Sequence, residues 1–199
     1  KLGELKALKE KRGTIIGVTG CFAQEQGEEL VKKFPIIDIV MGNQNIGRIP
    51  QAIEKIEKKY NLPLIAMHNQ NDEMYNKDIM LVLREFFEKT YKIADKYGID
   101  RDKIILDPGL GFGKNVEQNI EVLSRLNELK DMGPILLGAS KKRFIGKLLN
   151  DLPFDERVEG TVATTVIGIE KGVDIVRVHN VLENKRACLV ADGVYRKRG

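Results

Sequence analysis

The chain has 199 residues, 42% hydrophobic and 31% charged, with a formal net charge of +4, the balance of an ordinary soluble globular protein with one substantial core or two small ones. Its basic runs, Lys9–Arg12, Lys141–Arg143 and Arg196–Arg198, are short and hold no aromatic residue, so they read as solvated helix faces and not as a nucleic-acid surface. Two cysteines far apart, Cys21 and Cys188, argue against a disulfide framework and fit a reducing cytoplasm, and apolar runs as short as Ile79–Leu83 exclude a membrane-spanning helix.

The opening KLGELKALKEKRG reads as the inside of a helix, lacks the apolar core of a signal peptide and lacks a starting Met, which gives the expectation of a cut fragment. Six apolar runs then follow: Thr14–Val18, Ile37–Met41, Pro63–Met67, Lys103–Leu106, Pro134–Leu137 and Val173–Val178. Each is nearly all apolar instead of alternating, as in strands covered on both faces. Helical stripes lie between them. Ile49, Ala52, Ile53, Ile56 and Tyr60 form one; Leu83, Phe86, Phe87, Ala94 and Tyr97 form another, closed by Gly98 just past its end. Asn115 and Gln118 have the spacing of a capping box ahead of Val116, Ile120, Leu123 and Leu126.

Strands alternating with helices predict right-handed βαβ units and an α/β class. The expectation is about six parallel βα units in one continuous sheet, either open and doubly wound, as in flavodoxin-like or Rossmann-like folds, or an incomplete (β/α) barrel. A complete eight-stranded barrel takes about 250 residues. No linker-like stretch interrupts the chain, so residues 1–199 read as a single domain.

In such folds chemistry gathers where strands end and helices begin. Those positions hold Met67-His68-Asn69, Asp107-Pro108-Gly109-Leu110-Gly111-Phe112-Gly113-Lys114, Gly138-Ala139-Ser140-Lys141-Lys142-Arg143 and Arg177-Val178-His179-Asn180. Asp107 follows an apolar run directly; its carboxylate either caps a nearby turn or accepts from a group with adjacent donors, such as an amino-pyrimidinone edge. The glycines allow a tight loop but lack the spacing of a dinucleotide site. Lys142, at an expected helix start, is either a solvated lysine or the partner of an anion or carbonyl oxygen. Arg177 and His179 alternate with Val176 and Val178, so they share one face, a geometry suited to a phosphate or pyrophosphate. His68 is either a satisfied core histidine or a ligand. Two histidines in the chain, without Cys or Glu at ligand spacing, point away from zinc, and the reading requires no cofactor.

Two resemblances follow from longer motifs. From about Asn61 to Arg196, the segments PLIAMHNQ, IILDPGLGFGKNVEQN, PILLGASKKRFIG, ERVEGTVATTV and VDIVRVHNV, in this order, resemble the C-terminal half of the dihydropteroate synthase family. The resemblance implies a (β/α)₈ barrel that condenses a dihydropterin pyrophosphate with p-aminobenzoate. It implies that Asp107 and Lys142 hold the pterin ring, that Arg177 and His179 help bind the leaving pyrophosphate, and that Ser140 to Arg143 flank p-aminobenzoate. In the first sixty residues, GVTGCFAQ, IDIVMGNQN and IPQAI are instead similar to the flavodoxin-like N-terminal domain of the tRNA methylthiotransferases. That family holds an iron–sulfur cluster on three cysteines, and only Cys21 stands here, so it reads as a small packed thiol.

Residues 1–60 and 61–199 thus read as two segments joined near Lys58–Asn61, the first lacking the site residues that a synthase's first half supplies. The resulting expectation is an engineered or recombined α/β chimera with no complete active site. It would retain at most residual pterin or phosphate binding at Asp107, Lys142, Arg177, His179 and Ser140. The alternative is a dihydropteroate synthase. Expected partners are pterin, phosphate or pyrophosphate and a second copy of the chain in a homodimer, with no nucleic acid and no membrane.

Overall fold

Each of the six apolar runs contains or overlaps a short strand in the computed structural model, which describes residues 17–19, 39–41, 63–69 and 77–196. By contact the chain divides into two units, Lys1–Leu62 and Pro63–Gly199. In the first, β1 (Gly17–Thr19) pairs in parallel with β2 (Ile39–Met41), Gly17 opposite Ile39 and Thr19 opposite Met41. The stripe from Ile49 to Tyr60 and Cys21 lie outside the described residues.

In the second unit β3 (Leu64–Met67) pairs with β4 (Ile104–Asp107), and β5 (Leu136–Leu137) pairs with β6 (Ile175–Val176), all in parallel. A parallel bridge between Leu106 and Ile135 links β4 to the β5 run, and the Leu106 N–H donates to the Pro134 carbonyl at 2.8 Å. The order β3-β4-β5-β6 therefore follows the chain without reversal. A doubly wound sheet reverses its order at a switch point; this unit winds in one direction, as barrels do. The expectation of one continuous six-stranded sheet is not what the described strands form. They fall into one pair in the first unit and a run of four in the second. Coverage on both faces also fails at the two ends of that run, where Ile65 and Ile175 are exposed, while Ile104, Leu106, Leu136 and Leu137 inside it are buried.

The helices cross between these strands. In α1 (Ile79–Lys96), Ile79, Met80, Leu83, Phe87, Tyr91 and Ala94 recur at helical spacing and are buried. Asp78 caps its start by accepting from the Met80 N–H at 2.7 Å, and Gly98 at φ 66° ends it beyond Tyr97. The Tyr91 hydroxyl donates to the Met132 carbonyl at 2.5 Å, fixing α1 to the segment ahead of β5. In α2 (Val116–Ser124) the capping box is present: Asn115 Oδ1 accepts from the Gln118 N–H at 2.8 Å and Gln118 Oε1 from the Asn115 N–H at 2.9 Å.

A six-residue helix, α3 (Arg143–Leu148), follows β5, and α4 (Val158–Glu170) and α5 (Val181–Tyr195) complete the unit. The last two are pinned by a buried hydrogen bond, Thr165 Oγ1 to Asn184 Oδ1 at 2.7 Å. Leu106 and Leu137 from the strands, Ile135 at the bridge, and Leu83, Phe87, Leu126 and Phe144 from the covering segments are all buried in the core. A large apolar side chain at such a site contributes about 1.5–3 kcal/mol by leaving water. That core fixes the strand ends, and the polar residues stand on those ends. No helix among the described residues is long and apolar enough to cross a membrane.

Candidate functional site

Asp107 is the last residue of β4, opposite Met67, and the His68 N–H donates to its carbonyl at 3.0 Å. Its carboxylate is 1% exposed. A buried carboxylate without partners is costly, and here both oxygens have one. Oδ1 accepts from the Gly109 N–H at 2.8 Å, and Oδ2 forms an ion pair with Arg177 Nη2 at 3.0 Å. The carboxylate thus caps its own turn, as the first reading of this residue has it, and its second oxygen is ion-paired within the protein. Each oxygen keeps acceptor capacity for a further donor.

The loop that follows depends on glycine at two points. Gly109 has φ 66°, and a Cβ there would lie 1.9 Å from the His68 carbonyl oxygen. Gly111 has φ 78°, and a Cβ there would lie 2.8 Å from Lys142 Cδ. Only glycine permits both the backbone geometry and the approach. With Gly111 bare, the Lys142 chain crosses the loop and sets its ammonium 3.9 Å from the centre of the Phe112 ring, a cation–π contact. Burial lowers the Lys142 pKa, as does the nearby Arg177 cation, while Asp107 acts in the opposite direction. The expected dipole end of a helix contributes little, because α3 has six residues and Lys142 is its N-cap without a side-chain cap bond.

Arg177 and His179 lie just beyond the end of β6, His179 in a bend, so they do not continue an alternating strand, and they engage different partners. The Arg177 N–H donates to the Leu137 carbonyl at 2.9 Å and its guanidinium, half exposed, reaches Asp107. His179 Nδ1 lies 2.8 Å from Ser140 Oγ, which also accepts from the His179 N–H at 3.1 Å. The Phe154 ring meets the His179 ring edge-on at 5.5 Å. Asp107, Arg177 and Lys142 thus form one cluster and Ser140 and His179 a second, both at the C-terminal ends of the parallel strands.

Lys114 closes the polar loop, and in the sequence nothing but its place at the end of that segment sets it apart from a solvated lysine. Its side chain is buried, and Nζ donates to the carbonyls of Gly109 at 3.1 Å and Phe112 at 3.2 Å and lies 2.9 Å from His68 Nδ1. Burial lowers its pKa to about 8, against the raising effect of Asp107. His68, fully buried and edge-on to Phe86 at 5.1 Å, is therefore a member of this polar network. Asn119, also buried, supports the same loop by accepting from the Gly111 N–H at 2.6 Å.

A family model described as pterin binding enzyme matches residues 36–179, and one described as Uncharacterized protein family UPF0004 matches residues 1–42. The dihydropteroate synthase of Clostridium beijerinckii is 49% identical over 195 residues, which cover 97% of this chain and 70% of that protein. A solved dihydropteroate synthase from Clostridium difficile, crystallised in the presence of pteroic acid, is 45% identical with a TM-score of 0.74, covering 96% of this chain and 72% of that one. This likeness places the fold with the barrel-type α/β proteins. The tRNA-2-methylthio-N(6)-dimethylallyladenosine synthase of Fusobacterium nucleatum is 81% identical over 72 residues, 36% of this chain and 17% of that protein.

These findings overturn the expectation of a chimera without a complete active site. Likeness to the synthases is not confined to residues 61–196 but runs over 97% of the chain, the first sixty residues included. The second likeness is equally real at its own scale and covers a short N-terminal segment.

Proposed function

Since this chain belongs to the family of pterin-binding enzymes, we propose that it is a dihydropteroate synthase, a transferase that condenses a dihydropterin pyrophosphate with p-aminobenzoate. The observation that carries this reading is the buried Asp107 carboxylate, ion-paired with Arg177 and within the field of Lys142, at the mouth of β4.

In this reading Asp107 and Lys142 hold the pterin ring. The carboxylate uses its remaining lone pairs for the ring's amino and N–H donors, and the ammonium faces a ring acceptor with Phe112 beside it. Arg177 and His179 receive the pyrophosphate. The amine of p-aminobenzoate attacks the pterin methylene carbon, the carbon–oxygen bond to pyrophosphate breaks with its electron pair, and the amine loses a proton. Negative charge grows on the leaving oxygen, and cations already in place stabilise it without reorganising. The half-exposed Arg177 can turn toward that anion while Gly109 continues to hold Asp107. Ser140, tied to His179, borders the p-aminobenzoate side.

The test is turnover of p-aminobenzoate with the dihydropterin pyrophosphate, followed as dihydropteroate formed. Asp107→Asn and Lys142→Ala should each lower kcat/KM by about 10²-fold or more, the cost of one preorganised electrostatic contact in a reacting site. Product formation no higher than the uncatalysed background in the parent chain would sink the reading.

A further inference from the structure

We propose that Arg157 and Thr161 are positioning residues that hold Lys141 in a left-handed backbone conformation and so aim Ser140 and Lys142 into their two clusters. The inference rests on the synthase reading for its activity readout, and on geometry alone for its structural one.

Lys141 has φ 55°. Among non-glycine residues that region is visited mainly by Asn and Asp, whose short side chains bond locally, and the other two such residues among the described ones are Asn150 and Asp151. A lysine has no such compensation, so the conformation persists only if its surroundings over-determine it. They do so at both ends of the residue. The Lys141 N–H donates to Thr161 Oγ1 at 2.9 Å, and that hydroxyl donates in turn to the Arg157 carbonyl at 2.7 Å. The Lys141 carbonyl accepts from Arg157 Nη1 at 3.1 Å, while Arg157 Nε is anchored on the Leu152 carbonyl at 2.8 Å. Room for the guanidinium is cut into α3: a Cβ at Gly146 would sit 2.5 Å from Arg157 Cζ.

The consequence lies on either side of the held residue. Ser140 meets His179, and Lys142 crosses Gly111 to Phe112. If Lys141 relaxed to the right-handed or extended region, the chain direction after Ser140 would change and the two side chains could not keep both targets. The Lys141 side chain meets neither cluster directly: Nζ lies 5.1 Å from the centre of the Phe154 ring, which packs on His179, and 3.8 Å from Asp155. It is the backbone of this residue that serves the site.

The decisive experiment is a double-mutant cycle with Lys141→Gly, because glycine takes φ 55° at no steric cost and has no need of the clamp. Thr161→Val, nearly isosteric, and Arg157→Lys, whose single ammonium cannot reproduce the separated Nε and Nη1 donors of the guanidinium, should each lower kcat/KM about tenfold in the parent, the population cost of a left-handed lysine. In the Lys141→Gly background the same changes should cost less than about threefold. Independently of turnover, acetylation of the Lys142 amine, followed by peptide mapping, should quicken in both single variants and slow again when Lys141→Gly is added. Equal costs in both backgrounds, or unchanged Lys142 acetylation in Thr161→Val, would overturn the inference. Should Arg157→Lys fail to fold, Thr161→Val decides alone. A parent without turnover removes the synthase reading and leaves the acetylation result to decide the clamp.

Discussion

Replacing Lys114 by Met removes a buried cation while keeping most of its volume. The consequence can be read as a change in the pH dependence of stability. The folded pKa of about 8 lies below the 10.5 of a free lysine, a difference worth about 3 kcal/mol at 1.36 kcal/mol per unit. The sign follows from proton binding. Between pH 8 and 10.5 the unfolded chain holds the proton and the folded chain gives it up, so stability rises with pH across that window. Below pH 8 the cost of burying the charge is present in full. The carbonyls of Gly109 and Phe112 and the His68 ring all favour the ammonium, which makes about 3 kcal/mol a ceiling.

The measurement is denaturant unfolding of the parent and of Lys114→Met at steps from pH 7 to 9.5. The parent should gain on the variant by about 2 kcal/mol over that range, and the difference should be flat below pH 7. The absolute gap at pH 7 mixes the relief of charge burial with the loss of donors to two carbonyls, so only the slope isolates the titration. A parent-minus-variant difference that stays constant from pH 7 to 9.5 would refute the reasoning.

Gly109→Ala should destabilise the second unit by about 2–4 kcal/mol, since the new methyl meets the His68 carbonyl oxygen at a φ that alanine avoids. Thermal unfolding reads this, and a shift within error of the parent would mean that the loop has another packing. Asn115→Ala removes one side of the capping box of α2 and should cost about 1 kcal/mol with kcat/KM kept within about twofold, because the cap touches neither cluster. A large kinetic effect there would show that α2 helps to shape the site.

The strands were legible because short, nearly all-apolar runs set between helical stripes are too brief for helices, and each of the six runs holds a strand or overlaps one. Their lengths were not: β6 keeps two residues of Val173–Val178, since Asp174 turns its side chain to cap the Ile135 N–H at 2.9 Å and Arg177 begins the site. Asp107, Lys142, Arg177, His179 and Ser140 were singled out because polar residues at the ends of apolar strands have nowhere else to go. How they pair was hidden. The Asp107–Arg177 ion pair joins residues seventy apart, and Ser140 and His179 are thirty-nine apart. Lys114, Arg157 and Thr161 escaped notice for a different reason: their partners are largely backbone carbonyls and N–H groups, which every sequence possesses.

The contacts of Lys114 and Lys142 also explain how the site holds so much charge near a single carboxylate. Two cations, Arg177 and Lys142, approach Asp107, with Lys114 near enough to feel its field. Burying them unpaired would cost several kcal/mol each. Lys114 offsets part of this cost by donating hydrogen bonds to the loop that carries Asp107, and Lys142 offsets part of it by lying on Phe112. Arg177 alone remains half exposed and held through one oxygen of Asp107. In a cluster where every other charge is fixed by backbone or ring, the least constrained cation is the one that could follow the leaving anion of the proposed reaction. Its freedom depends on the rigidity of its neighbours, so loosening Lys114 or the Lys141 clamp should slow the chemistry even though neither side chain meets the reacting carbon.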